Sequence, residues 1–187
     1  MQTRLYAWLL IKVIPYIRFT CYYTSLKGYQ YQKGYKKLSK GDIVLTVDKK
    51  KLTSMLIPGT WTHAALCVGK GSAWELSEMT HENYRKSTFF DICKEADRVC
   101  ILRCKDWTRR YIARVVDRCK TFENVPYDMS FMLGVKALYC SELIFMSDIE
   151  GRLKVDLSDL AGLGREYISP DGLYLAENVK VIWDSDK

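Results

Sequence analysis

The sequence predicts an α+β domain with a mostly antiparallel sheet packed against a few helices. Three observations carry this reading. Short apolar runs recur between turn residues, as in Ile43–Val47 and Val99–Cys104. Two such runs are joined by Gly69-Lys70-Gly71, a hairpin signal that makes the neighbouring strands antiparallel. Only two later segments, 107–122 and 139–149, carry a helical pattern of useful length.

The elements follow in order. Leu5 to Ile14 is apolar on nearly every face and stops at Pro15, which predicts an N-terminal helix. Lys12 interrupts it, and it is too short to span a bilayer. Arg4 before an apolar core outlines a signal peptide, but no small-residue cleavage site follows, so the reading is an uncleaved helix packed on the domain, a protein partner or a membrane surface. Tyr22 to Tyr35 is polar and Tyr-rich, and reads as a connector. The domain proper is expected from Gly41-Asp42, giving an extension over 1–40 and a domain over 41–187. Lys49 to Leu56 reads as a short helix before the Pro58-Gly59 turn. Strands are expected at His63–Val68, Ala73–Glu78, Val99–Cys104 and Val179–Trp183. The helix over Tyr139–Ile149 stops at Gly151, and Pro170 opens a last helical turn.

Composition removes whole classes. A chain of 187 residues is one domain's worth. Its 48% hydrophobic and 27% charged residues are ordinary globular values, which exclude wholesale disorder and fibrous repeats. The net charge of +7 suits an anionic partner, but the basic runs are short and scattered, so no specific nucleic-acid binding is expected. Seven cysteines without a repeating spacing argue against a disulfide scaffold and for a reducing compartment at synthesis. With two histidines and no Cys-x-x-Cys pair, neither a metal nor a cofactor is expected.

One cysteine is different. Cys140 opens the apolar helix of Tyr139-Cys140-Ser141-Glu142-Leu143. A helix N-terminus offers unpaired N–H groups and partial positive charge, which stabilise a thiolate. The same position also suits a plain buried thiol. A thiol nucleophile needs a base, and His63, at the start of a strand after a turn, is placed for it. Strand alternation puts His63, Ala65 and Cys67 on one face, with small neighbours that leave room for a helix. A third group usually orients the imidazole. Glu75, a charged residue between Trp74 and Leu76 in a strand, is the first choice, with Glu78, His81 and Asp42 behind it.

Several segments together resemble the circularly permuted branch of the NlpC-type papain-like cysteine hydrolases, the group with the bacterial YiiX-like proteins. They are Gly41-Asp42-Ile43-Val44, Thr62-His63-Ala64-Ala65, Trp74-Glu75, Tyr127-Asp128, Tyr139-Cys140-Ser141-Glu142-Leu143 and Ile168–Leu173, in the family's order over about residues 41–184. The resemblance implies a permuted papain-like fold with an N-terminal helical extension. It makes Cys140 the nucleophile, His63 the base and Glu75 the orienting residue, with Tyr139 and Ser141 at the oxyanion and substrate side. The Cys140 backbone N–H is a natural oxyanion donor.

The function expected is a cysteine amidase or peptidase acting through a thioester, on peptidoglycan peptides or related amides, in a bacterial envelope or a phage virion. Two further readings stand beside it. One is an acyl hydrolase or acyltransferase of the lecithin:retinol acyltransferase type, with the apolar N-terminal helix as an interfacial anchor. The other is a non-catalytic scaffold or virion component that retains the fold.

Overall fold

The computed structural model describes Val13, Ile17 and residues 25–51, 59–128, 130–134, 136–159 and 166–187. The expected N-terminal helix over 5–14, the expected helix over 49–56 beyond Lys51, and Cys21 lie outside the described residues.

Six strands form one antiparallel sheet: β1 (Ile43–Val47), β2 (His63–Lys70), β3 (Trp74–Thr80), β4 (Asn83–Thr88), β5 (Arg98–Cys104) and β8 (Val179–Asp184), in the order β4-β3-β2-β1-β5-β8. Two further strands, β6 (Ser158–Asp159) and β7 (Glu166–Tyr167), make a small separate ladder. The helices are α1 (Gly28–Lys37), α2 (Phe89–Cys93), α3 (Arg109–Lys120), α4 (Cys140–Ser147) and α5 (Pro170–Leu175).

Strand alternation explains the layering. All five residues of β1 are buried, so the centre of the sheet is covered on both faces. Ile43, Leu45 and Val47 face a core built with Tyr111, Val115 and Val116 of α3 and Leu143 and Ile144 of α4. Val44 faces the other way, into a second core with Phe89, Ile92 and Cys93 of α2, on which Tyr31 and Tyr35 of α1 pack. The result is three layers, with α1 and α2 on one side of the sheet and α3 and α4 on the other. This is the α+β, mostly antiparallel architecture that the sequence predicts.

Three local features depart from the sequence reading. The Tyr-rich stretch expected as a connector contains α1, which packs on the sheet through Gly34. A Cβ at Gly34 would stand 2.8 Å from Cζ3 of Trp183, so only glycine admits the indole there. Residues 83–88 form a strand, although Asn83, Arg85 and Lys86 carry little β signal. Pairing to β3 along its whole length overrides that weak propensity. Phe89–Cys93 forms a short helix that no periodicity announces, started by Thr88 and Asp91, each capping the other's backbone N–H.

The register defines the two ends of the sheet. Thr46 faces His63, Val47 faces Arg98, and Cys100 faces Asp184, so these residues share one end. Asp42, Arg103, Gly69 and Glu75 lie toward the other, where Arg103 grips the buried Asp42 carboxylate at 2.6 and 2.8 Å.

Candidate active site

His63 opens β2, so its ring sits at the end of the sheet, where α4 begins. α4 reaches that place by burying Leu143 and Ile144 in the core shared with Ala64 and Leu66. The small side chain that admits the helix is therefore Ala64, whereas Ala65 and Cys67 face the α1 side. Full burial of two such apolar side chains contributes roughly 3–6 kcal/mol to holding the helix there.

The thiol of Cys140 is hydrogen-bonded to the His63 ring and to the backbone N–H groups of Ala64 and Ser141. Burial pushes its pKa up, but those bonds and the imidazolium charge outweigh burial, and the thiol lies below the usual cysteine value. The other described cysteines behave oppositely. Burial pushes Cys67 and Cys100 up to about 12 and Cys119 up to about 11, and raises Cys93 and Cys104. Cys140 is thus the one cysteine among the six described whose thiol is lowered rather than raised.

Burial works to lower the His63 pKa. Hydrogen bonds to Cys140 and Glu78, and their charges, outweigh it and push His63 up to about 9. Its Nε2 stands 2.6 Å from Oε2 of Glu78, which leaves Nδ1 for the sulfur. Glu78 is only 2% exposed. Its second oxygen accepts from Arg85 Nε at 2.9 Å and from the Ser87 hydroxyl. Burial would raise this carboxyl, but His63, Ser87 and Arg85 together bring it down to about 2. Arg85 stands directly opposite Glu78 across the β3–β4 ladder, which is what the unexpected strand supplies.

The structure thus brings Cys140 and His63 together and places Glu78, not Glu75, against the imidazole. Glu75 pairs with Gly69 near the hairpin tip, six residues along β2 from His63, or roughly 20 Å at strand rise. It is exposed there, and hydration is why a charge between Trp74 and Leu76 is tolerated. Asp42 and His81 do not reach the imidazole either. Asp42 belongs to the Arg103 pair, and His81 lies in the β3–β4 turn, 3.8 Å from Glu82.

Tyr139 and Ser141 also differ from expectation. The Tyr139 hydroxyl accepts from the Ile168 N–H at 2.8 Å, and the Ser141 hydroxyl donates to the Ile168 carbonyl at 2.6 Å. Together they clamp both backbone groups of one residue against the first turn of α4. Both hydroxyls are buried and engaged with protein rather than open to a substrate. Burial, and after it the charge of Cys140, raise the Tyr127 phenol well above its ordinary pKa, so it stays protonated.

Sequence reasoning did not single out Arg85, Ser87 or the Ala64 N–H, and it named Tyr127 only beside Asp128 in a segment of the resemblance. It named Glu142 only within the nucleophile segment. That residue accepts from the Gly134 N–H at 2.7 Å and the Tyr139 N–H at 3.4 Å, tying the loop before Cys140 to the helix start. Burial pushes its carboxyl up to about 7, against those two bonds and with help from the charge of Asp128.

A lowered thiol at a helix start, an imidazole at a strand start and a buried carboxylate behind it meet at one end of the sheet. The permuted papain-like amidase family (YaeF/YiiX, C92) matches residues 37–182, and the chain belongs to that family. The crystal structure of the metalloprotein YiiX from Escherichia coli O157:H7 superposes with a TM-score of 0.67 at 13% identity, over 78% of this chain and 96% of that one. That likeness shows the permuted fold. No curated protein matches the sequence. Among the described residues no group of three or more His, Cys, Asp or Glu side chains is disposed to hold a metal ion. The described residues thus offer no such donor set, and no step of the reaction is routed through a metal.

Proposed function

We propose that the protein is a cysteine amidase in which Cys140 attacks, His63 shuttles the proton and Glu78 holds the imidazolium. The observation that carries this reading is the His63 ring bonded to both the Cys140 thiol and the Glu78 carboxylate.

The chemistry follows from the protonation states. The Cys140 thiolate adds to the amide carbonyl carbon, and the carbonyl π pair moves onto oxygen. The resulting oxyanion lies beside the N–H groups of Ala64 and Ser141, which already point at the sulfur. His63, protonated at neutral pH, gives its proton to the leaving nitrogen as the C–N bond breaks. The acyl group stays on sulfur as a thioester. Neutral His63 then takes a proton from water, hydroxide adds to the thioester, and the acid leaves as the thiolate returns. Glu78 keeps its charge throughout, because at about 2 its pKa lies far below the working range.

The amide placed first is a peptide stem or cross-link of peptidoglycan. A second reading, transfer or hydrolysis of an acyl chain, is favoured by one observation. Met132 and Leu133, on the loop leading into Cys140, are 62% and 40% exposed. An apolar tip beside a nucleophile suits an acyl chain as well as a peptide.

Site-resolved alkylation from about pH 5 to about pH 9 tests the common core of both readings. Cys140 alone is expected to react near pH 6, and His63→Ala to remove that advantage. A Cys140 no faster than Cys67 in folded protein would sink the amidase reading and leave the scaffold one. Digestion of wall fragments then separates the substrates. New amines that Cys140→Ala abolishes support the peptide, and an acyl adduct on Cys140 with lipid esters supports the acyl chain.

A further inference from the structure

Residues 25–41 contain Lys27, Lys33, Lys36, Lys37 and Lys40 and no acidic residue. The helix built from them is two-faced. Tyr31, Gly34 and Tyr35 turn toward the sheet, with Tyr31 stacked on Phe89 at 5.5 Å. Tyr29, Gln32, Lys33, Lys36 and Lys37 are exposed, as is Lys40 just beyond. Their spacing is that of one helix face. Among the described residues, none of the five lysines has an ion-pair partner, and Lys33 instead lies 5.5 Å from the Tyr29 ring. The face is held rigidly. The Ser25 N–H bonds Asp97 at 3.0 Å, Gln30 bonds the Ser185 carbonyl at 2.6 Å, and Trp183 fills the space at Gly34.

The other basic helix is built differently. On α3, Arg114 pairs with Glu150, Arg118 lies 4.8 Å over the Phe122 ring, and Asp117 interrupts the face. Arg114 and Arg118 thus have partners within the fold, whereas among the described residues no acidic side chain pairs with the α1 lysines. Like charges at neighbouring positions of one helix face repel, and among the described residues no carboxylate lies against the stripe to offset that repulsion.

We propose that the α1 stripe is a docking surface for a layer of anionic lipid headgroups. Two features single out lipid among polyanions. The segment before α1, Leu5 to Ile14, is apolar apart from Lys12, and a polybasic face next to an apolar segment is the pair of signals that together hold a protein at a charged bilayer. The stripe also has Tyr29 and Phe90 exposed at its border, 61% and 58%, and aromatic side chains settle at the headgroup level. Ser25, three residues before α1, bonds Asp97 at the same end of the sheet as His63, so the chain enters α1 from that end.

The experiment is sedimentation of the full-length protein with vesicles of phosphatidylcholine alone and of phosphatidylcholine mixed with phosphatidylserine. Stronger partition onto the mixed vesicles is expected. Each basic residue near such a surface contributes about fivefold, so the Lys33→Glu, Lys36→Glu, Lys37→Glu, Lys40→Glu variant should lose roughly 10²-fold or more. The four-arginine variant should retain binding, and salt near 1 M, where the Debye length is about 3 Å, should abolish the preference. Circular dichroism and the Cys140 alkylation rate show whether each variant is folded. Equal partition of the wild type onto both vesicles would overturn the proposal, as would a charge-reversed variant that is folded and keeps the preference. So would displacement of the protein from mixed vesicles by duplex DNA at lower phosphate concentration, which would assign the stripe to nucleic acid.

Discussion

Two buried carboxylates lie near Cys140, Glu78 on β3 and Glu142 in the first turn of α4, and the protein treats them in opposite ways. Glu78 is 2% exposed and Glu142 is wholly buried, so burial alone would raise both. Glu78 meets two cations, His63 and Arg85, and falls to about 2. Glu142 meets two backbone N–H groups and, among the described residues, no cation, and rises to about 7. The difference teaches that partner type, not depth, sets the sign. A dipole softens the cost of burying a carboxylate, whereas a full charge reverses it. The carboxylate at His63 is built to stay ionised, and the one at the loop is built to titrate near neutrality.

Removing the cation-bound charge has the largest expected effect. In Glu78→Gln, His63 loses a negative neighbour, and its pKa falls from about 9 toward its ordinary value. The thiolate–imidazolium pair then survives over a narrower range. kcat/KM should drop by at least ~10²-fold, with its basic limb moving to lower pH. Stability should fall too, because Arg85 and His63 are left facing a neutral amide. The sign can be stated for the wild type. His63 is raised, so its contribution is full below about 6.5 and is lost as pH climbs through about 9. Glu78 is lowered, so its contribution is full above about 4.5 and is lost as pH drops toward about 2. Both are fully present between those limits. A Glu78→Gln profile that keeps the wild-type basic limb would separate Glu78 from the imidazole.

Removing the dipole-bound charge should act on stability rather than on rate. Glu142 is raised, so the folded state holds its proton more tightly than the unfolded chain. Stability is therefore lost as pH rises from about 4.5 to about 7, by at most about 3 kcal/mol, and is level above that. Glu142→Gln removes that slope, while the Gln carbonyl still accepts from the Gly134 N–H. Urea midpoints at about pH 5 and about pH 6.5, within the window where His63 and Glu78 contribute fully, should be nearly equal in the variant and should differ in the wild type. Packing of the new amide shifts both midpoints together, so the slope is the informative quantity. An unchanged slope would mean that Glu142 is ionised across the whole range.

Most of the fold was legible because it is written locally. The apolar runs, the hairpin glycines and the helix over 107–122 are signals within a few residues of one another. The weak strand at 83–88 and the helix hidden in the Tyr-rich stretch were not, because each is stabilised by what it packs on: β3 for one, and Trp183 and Phe89 for the other. In the site, Cys140 and His63 stood out by residue type and by position at the start of an element. The acid did not, because it depends on register. Lys70 faces Trp74, so counting back along both strands brings the partner of Ala65 to Met79, and the bulge after Cys67 moves it to Glu78. The count leads to the far end of β3, even before the bulge is known, and away from Glu75.

That register yields the smallest and cleanest prediction. Glu75 and Glu78 are the same side chain, three residues apart on one strand, and alternation puts them on opposite faces. Glu75→Gln should leave kcat/KM and its basic limb unchanged, and should move stability by no more than about 0.5 kcal/mol, as expected for an exposed position. Measured beside Glu78→Gln, it holds residue type, strand and substitution constant and varies only the place in the ladder. If Glu75→Gln were the more damaging of the two, the β2–β3 register would be wrong. The imidazole would then face a strand shifted by three residues, with Glu75 rather than Glu78 reaching its Nε2.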